Sequence, residues 1–357
     1  VEGVGQSLAL DAGCRLVNME FMQMMPGYIS PAYQTIFNEK TFRFTRLRCP
    51  DGRPLLNEAA KELLTQRSTH GPFTSRLPSK AVDLALFRAF LKDERGVEAT
   101  YTEEMRSDPP EFVKTYFDWL QEARGLTMED PIHIGIFAHA ANGGIKTDPN
   151  AFTGVPGLFA AGETAGGNPN KFVGGCCAEG KLAARGAVAY MEGLDLPPLD
   201  EAQVKGEMER VYAPLLSRDE EGIRPVEMKE RLQRLMDEYA GGISQFYRTN
   251  EERLDYALRH IAVLQSQFRY LRATDSHELM QAMETIDRVD VAEAVVHHLK
   301  ARKETRWAGW QTRSDYPERD DAHFDCFIES RRDPATGEVS TFTRPYEQII
   351  PGDRHTA

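Results

Sequence analysis

Two short stretches each pair a polar side chain with a glycine turn. Residues 139–145 read HAANGGI, with His139 ahead of Gly143-Gly144, and residues 170–180 read NKFVGGCCAEG, with Lys171 ahead of Gly174-Gly175. Glycine has no Cβ, so backbone at such a pair can approach a flat ligand closely. The second pair opens an Ala-rich helical pattern, whose first-turn N–H groups and positive dipole end point back at the turn. That terminus suits a group that becomes anionic, for example the N1–C2=O edge of a reduced flavin. Simple chain reversal is the alternative for a Gly-rich turn. Between the two stretches, VPGLFAAGE (155–163) predicts a buried strand ending in Gly162 and Glu163. An acid at a strand's carboxyl end can accept hydrogen bonds from sugar hydroxyls, and a solvated loop glutamate is the alternative there.

The elements that must hold these residues follow from periodicity and turn signals. A helix is expected over GQSLALDAG (5–13), a strand over LVNMEF (16–21), and helical patterns around 79–93 and 109–124. Residues 131–162 return to strand and turn, a helix follows over about 176–192, and LPPLD (196–200) reads as a linker. Pro225 suits a first helical turn, and Thr249 with Glu252 gives a Thr-x-x-Glu capping box. Leu254, Leu258, Ile261, Leu264, Phe268 and Leu271 then form one apolar stripe, and a third helical pattern spans 277–303. Three amphipathic helices with short turns predict a small bundle.

Composition narrows the function classes. The 357 residues carry a net charge of −12 with no long basic run, which argues against nucleic acid or an anionic membrane as the main partner. No apolar run approaches the ~18 residues of a membrane span. The five cysteines, 14, 49, 176, 177 and 326, show no C-x-x-C spacing, so no metal site is expected and the cytoplasm is the default compartment.

Four separated motifs carry a family resemblance. TGVPGLFAAGETAGG followed by NKFVGGCCAEGKLAARGA, with HAANGGIKTD upstream, resembles the flavin-contacting return segment of the fumarate reductase and succinate dehydrogenase flavoprotein superfamily. That superfamily includes aspartate oxidase and the alpha subunit of adenylylsulfate reductase. GVGQSLALDAGCRLVNMEFMQ resembles the family's opening GDG…MEF-x-Q motif, and ETRWAGWQTRSDYPERDD its closing E-(S/T)-R…DYP-x-RDD run. The resemblance implies an α+β chain in which the return segment of a Rossmann-like FAD domain carries an inserted α+β capping domain and leads into a C-terminal helical bundle. The expected limits are 1–20 for the end of the first FAD-domain part, 21–130 for the cap, 131–197 for the return segment, 198–305 for the bundle and 306–357 for an extension. The dinucleotide fingerprint is expected upstream of Val1, which makes the chain a portion of a longer polypeptide; a Tat leader there would direct it to the periplasm.

The implied activity is two-electron transfer between the flavin N5 of FAD and a small anionic, fumarate-like substrate. Arg76, in FTSRLPSKAVDLA, matches the family's proton shuttle, with helix capping or a salt bridge as its alternative role. His139 matches the substrate-binding histidine, and Lys171 stands where dicarboxylate-handling relatives carry arginine. Glu163 matches the sugar-binding acid. Gly174, Gly175, Cys176 and Cys177 match the turn that meets the flavin, with Asn170, Gly162, Gly143 and Gly144 beside it. Two features depart from the fumarate reductase branch. Gln23-Met24-Met25-Pro26-Gly27 lacks the histidine of Q-x-H-P-T, and the Thr-Glu pair downstream has only Thr35 or Asn38-Glu39 near its place. Lys171 and the ending RRDPATGEVSTFTRPYEQIIP look more like the adenylylsulfate reductase branch. The alternatives are therefore an adenylylsulfate-reductase-like flavoprotein and a non-catalytic subunit that keeps the fold. The resemblance also implies an iron–sulfur or haem electron-transfer partner subunit, with membrane contact only through that partner.

Overall fold

Short strands and long helices alternate through the computed structural model, which describes residues 3–346 except 34, 58–59, 75–76, 168–172, 196–197, 218–219 and 308–310. The strands among these residues are β1 (Arg15–Val17), β2 (Met22–Ser30), β3 (Thr45–Arg48), β4 (Val97–Tyr101), β5 (Ile132–Ala141), β6 (Gly144–Ile145), β7 (Arg248–Thr249), β8 (Thr312–Arg313), β9 (Cys326–Arg332) and β10 (Val339–Pro345). The chain divides into two units, Val1–Phe21 with Ala141–Arg354, and Met22–Ala140. Strand β5, which the sequence pattern assigned to the return segment from residue 131, thus closes the inserted unit. The bundle and the C-terminal extension cluster with the first unit.

In the first unit an antiparallel sheet runs in the order β10-β9-β1-β6. Leu16 pairs with Ile145 on one side and Ser330 on the other, joining three distant parts of the sequence. The expected strand over 16–21 stops at Val17, because Asn18 turns to a φ of 52°. Leu10, Leu16, Met19, Ile145 and Ala160 pack with Ala294 of the long helix Ser276–Ala301. That helix also joins Glu201–Leu216, Pro225–Tyr239 and Glu251–Ser266, making four helices where three were expected. The core shared by Pro225–Tyr239, Glu251–Ser266 and Ser276–Ala301 includes Leu235, Leu254, Ile261, Leu264, Val289 and Val296, each contributing about 1.5–3 kcal/mol through burial. Pro225 opens its helix as expected. Helix Glu251–Ser266 is capped by Asn250, whose side chain accepts from the Arg253 N–H, and not by Thr249. Thr249 is held in β7, and its hydroxyl donates to the Tyr239 carbonyl at 2.7 Å.

The inserted unit is a second four-stranded sheet, in the order β2-β5-β4-β3. Val97, Ala99 and Tyr101 alternate inward along β4, as one buried sheet face requires. Helices Lys80–Lys92 and Glu111–Arg124 supply Leu86, Phe87, Val113, Phe117 and Leu120 to the core. Both lie within two residues of their sequence expectation. No helix among the described residues is long and apolar enough to cross a membrane.

Candidate functional site

The segment VPGLFAAGE does not form the expected strand. Phe159 makes a single bridge to Phe152, the Ala160 N–H donates to the Ala151 carbonyl, and Gly162–Thr164 winds into one short helical turn. Pro156-Gly157 reverses the chain, with Gly157 at a φ of 78°, so the segment folds back on residues 151–153. Glu163 therefore sits exposed on a tight turn instead of a strand end. Gly162 takes a φ of 74°, and its N–H donates to a Glu179 carboxylate oxygen at 2.7 Å. A Cβ on Gly162 would lie 3.3 Å from the Cys176 sulfur. Two segments seventeen positions apart, 162 and 179, are thus stapled by one charge-assisted hydrogen bond. Glu179 carries no local sequence signal for this; the pairing appears only in the fold.

The two Gly-Gly pairs differ in what surrounds them. A Cβ on Gly143 would lie 2.5 Å from the Asn18 carbonyl oxygen, and one on Gly144 would strike the Thr164 carbonyl. Gly166 continues this crossing, donating to the Ile145 carbonyl at 2.8 Å. The first pair therefore admits the protein's own backbone, which is the chain-crossing role, and leaves no space for a ring beside it. No described residue lies within 4 Å of where a Cβ on Gly174 would be. It begins the helix Val173–Met191, which has no buried residue along its nineteen positions. Gly175 and Cys176 are half-buried and Cys177 is exposed. The Thr164 hydroxyl is buried with no hydrogen bond among the described residues. An open glycine at a helix start, next to a tight turn with an exposed acid, fits the polar edge of a flavin. Asn170 and Lys171 lie outside the described residues, as does Arg76.

In the inserted unit, His139 is exposed on β5. Arg67 and Asp83 form a fully buried pair at 2.8 Å, and Arg67 also donates to the Gly71 carbonyl at 2.9 Å. Ser79 is 2.9 Å from His70 Nε2. These contacts brace both flanks, Gly71 and Ser79, of the segment in which Arg76 falls. Burial raises the Asp83 carboxyl above its usual range, and burial lowers the His70 imidazole. Met25, at the place of the absent histidine, is buried in β2. Asn38 caps the turn Glu39–Phe44 by accepting from the Lys40 N–H. Both therefore do structural work.

The opening and closing motifs meet in one buried charge cluster. Glu20 lies 3.1 Å from His298 and 2.6 Å from Arg302, which pairs onward with Glu304, as does Arg306. Arg306 reaches Asp321, and the Asp320 N–H donates to Glu304. Burial opposes ionisation of Glu20, but the hydrogen bond to His298 and the charge of Arg302 outweigh it and hold the carboxyl below its usual range. MEF and ETR…RDD are thus joined as structure.

Comparison with known proteins agrees with this arrangement. The profile of the FAD binding domain matches residues 1–177, and that of the fumarate reductase flavoprotein C-terminal region matches residues 229–350. The adenylylsulfate reductase alpha subunit of Megalodesulfovibrio gigas is 30% identical over 227 residues, covering 60% of this chain and 34% of that protein. The fumarate reductase flavoprotein subunit of Mycobacterium tuberculosis is 28% identical over 358 residues, covering 90% and 58%. The structure of adenylylsulfate reductase from Archaeoglobus fulgidus superposes with a TM-score of 0.75 at 27% identity, over 98% of this chain and 62% of that one. The chain thus spans between about a third and three fifths of these relatives' length. Its two profile matches, and the packing of its separated motifs, place the chain in the flavoprotein superfamily of fumarate reductase and adenylylsulfate reductase.

Proposed function

We propose that the protein is an FAD-dependent oxidoreductase acting on a small anionic substrate. The observation that carries this reading is the pairing of the Gly162–Thr164 turn with the open start of helix Val173–Met191 through Glu179. Bound there, FAD supplies two-electron chemistry. The chain's own contributions are separate. Backbone N–H groups at Gly174 to Cys177 receive the polar edge of the ring, and Glu163 accepts hydrogen bonds from sugar hydroxyls. His139 donates a hydrogen bond to a substrate oxygen, Lys171 offers a point charge, and Arg76 carries the proton. An arginine acid has a pKa above about 12 and needs a desolvated, charge-rich setting to act. Helix Val173–Met191 buries none of its nineteen residues, and this surface is proposed to pack against the rest of an FAD domain.

Two observations favour a second reading, an adenylylsulfate-reductase-like activity. Lys171 replaces a bidentate arginine, and buried Met25 removes a dicarboxylate ligand. The discriminating experiment reduces the flavin of the complete native protein anaerobically and adds fumarate or, separately, adenylylsulfate. Reoxidation by fumarate supports the first reading, and reoxidation by adenylylsulfate with release of sulfite supports the second. A reduced holoprotein inert to both overturns the oxidoreductase assignment to these substrates. An electron-transfer partner with iron–sulfur or haem centres is proposed on family resemblance, and purification of the native complex tests it.

A further inference from the structure

We infer that β10 is a self-association edge: it pairs antiparallel with β10 of a second copy about a two-fold axis, joining their sheets into one continuous sheet. Strand β10 ends the sheet β10-β9-β1-β6, and its seven residues match β9 one to one, with no bulge. The phase of that pairing is fixed at both ends. The Asp333 N–H donates to the Glu338 carbonyl at 2.9 Å, and the Tyr346 N–H to the Asp325 carbonyl at 3.3 Å. Hydrogen-bonded pairs alternate with non-hydrogen-bonded ones along an antiparallel ladder, so Ser340, Phe342 and Arg344 bond to β9. Val339, Thr341 and Thr343 then aim their N–H and C=O groups outward, where they meet no partner among the described residues. Thr341 and Thr343 are exposed.

The other edges of the two four-stranded sheets are covered by the chain itself. Tyr28 of β2 donates to the Thr35 carbonyl and Phe73 to that of Met24, Leu55 donates to the Leu47 carbonyl of β3, and Gly166 to the Ile145 carbonyl of β6. Proteins blunt an open edge with charges, proline or a bulge, and residues 339–343 carry none of these. The side chains point to a second copy as the occupant. With Phe342 on the two-fold axis the whole strand pairs, Thr341 facing Thr343 and Val339 facing Pro345 of the other copy. Each outward N–H then finds a carbonyl, and Pro345, which has no N–H, falls at the ends of the ladder. Phe342, exposed and large, gains an aromatic cross-strand partner. Arg344 lies opposite Ser340 and keeps its 2.5 Å bond to Glu329, so no like charges meet directly across the axis. The same strand serves both copies, as an isologous interface requires. This edge is independent of the substrate proposed above.

Sedimentation velocity of the native protein over a concentration series tests the pairing, and a monomer–dimer equilibrium is expected. Thr341→Pro deletes one outward N–H in each copy and leaves the bonds to β9 intact. Losing two neutral hydrogen bonds predicts self-association weaker by about 5- to 150-fold, with the melting temperature of the monomer unchanged. Phe342→Cys reads the register under copper–phenanthroline oxidation. Non-hydrogen-bonded residues opposite one another lie about 4.5 Å apart at Cα, within the reach of a disulfide. Two copies of this variant should therefore crosslink beyond the level of the parent protein, whereas Ser340→Cys, displaced along the strand from its counterpart, should not. A monomer at every concentration, association unchanged by Thr341→Pro, or equal crosslinking of the two cysteine variants overturns the inference. Protection of the Thr341 and Thr343 amides from hydrogen exchange in the monomer also overturns it, because another segment then covers the edge. If Thr341→Pro does not fold, sedimentation of the parent and the cysteine pair still decide.

Discussion

Removing the Glu179 carboxylate should loosen the candidate cofactor seat measurably. The Gly162 N–H donates to this carboxylate at 2.7 Å, a short charge-assisted bond of a class that contributes about 1.5–3 kcal/mol. Glu179 is half-buried, and partial screening by solvent places the expected loss near the lower end, about 1–2 kcal/mol for Glu179→Ala. Glu179→Gln keeps an acceptor without the charge, so its loss should fall below that of alanine. Urea unfolding followed by circular dichroism measures this change, because lower stability at constant slope moves the midpoint. The same bond holds Gly162 against Cys176, so FAD affinity of the native protein should fall with it, by about tenfold for 1.4 kcal/mol. If Glu179→Ala changes neither the urea midpoint nor FAD affinity, the stapled turn is not what organises the site.

Other outcomes follow from the same structure. Ile261→Ala, fully buried in the helical core, should cost about 2–5 kcal/mol in urea unfolding, and a loss under 1 kcal/mol would show that core to be poorly packed. Glu20→Ala leaves His298 and Arg302 without their shared carboxylate, and about 3–5 kcal/mol of destabilisation is expected; a neutral result would mean that Glu304 alone satisfies Arg302. Burial lowers His70 and His297 from 6.5, so the unfolded chain binds more protons between their folded values and 6.5. Stability should therefore fall as pH drops through that window, and again as Glu20 is protonated further down; His297→Gln should flatten the upper part of a melting-temperature profile from pH 7 to 5. Arg76→Lys should leave FAD bound while slowing turnover by at least ~10²-fold, and unchanged turnover would remove Arg76 from proton transfer.

What was legible in the sequence was local. The helices Lys80–Lys92 and Glu111–Arg124 and the first-turn role of Pro225 follow from periodicity and proline geometry. The Thr249 capping box failed because a tertiary contact claimed the hydroxyl and left Asn250 to cap. The predicted strand at VPGLFAAGE failed because Pro156-Gly157 folds it onto residues 151–153, a reversal that apolar alternation does not record. The glycine pairs look alike in sequence, yet only the fold shows that Gly143-Gly144 is filled by residues 18 and 164 while no described residue crowds Gly174. Glu179, Arg67 with Asp83, and the Glu20 cluster join residues that are distant along the chain or carry no motif, so no spacing rule could have paired them.

The most direct test of the cofactor seat is FAD affinity of the native protein carrying Gly174→Val. No described residue lies within 4 Å of the added Cβ, and replacing a helical glycine does not lower helix propensity, so the melting temperature of the flavin-free protein should not fall. If the ring's polar edge meets this turn, the valine occupies its place, and FAD titration should show affinity reduced by at least about 100-fold. A Gly174→Val protein that binds FAD as tightly as the parent would contradict the assignment of this helix start as the flavin seat.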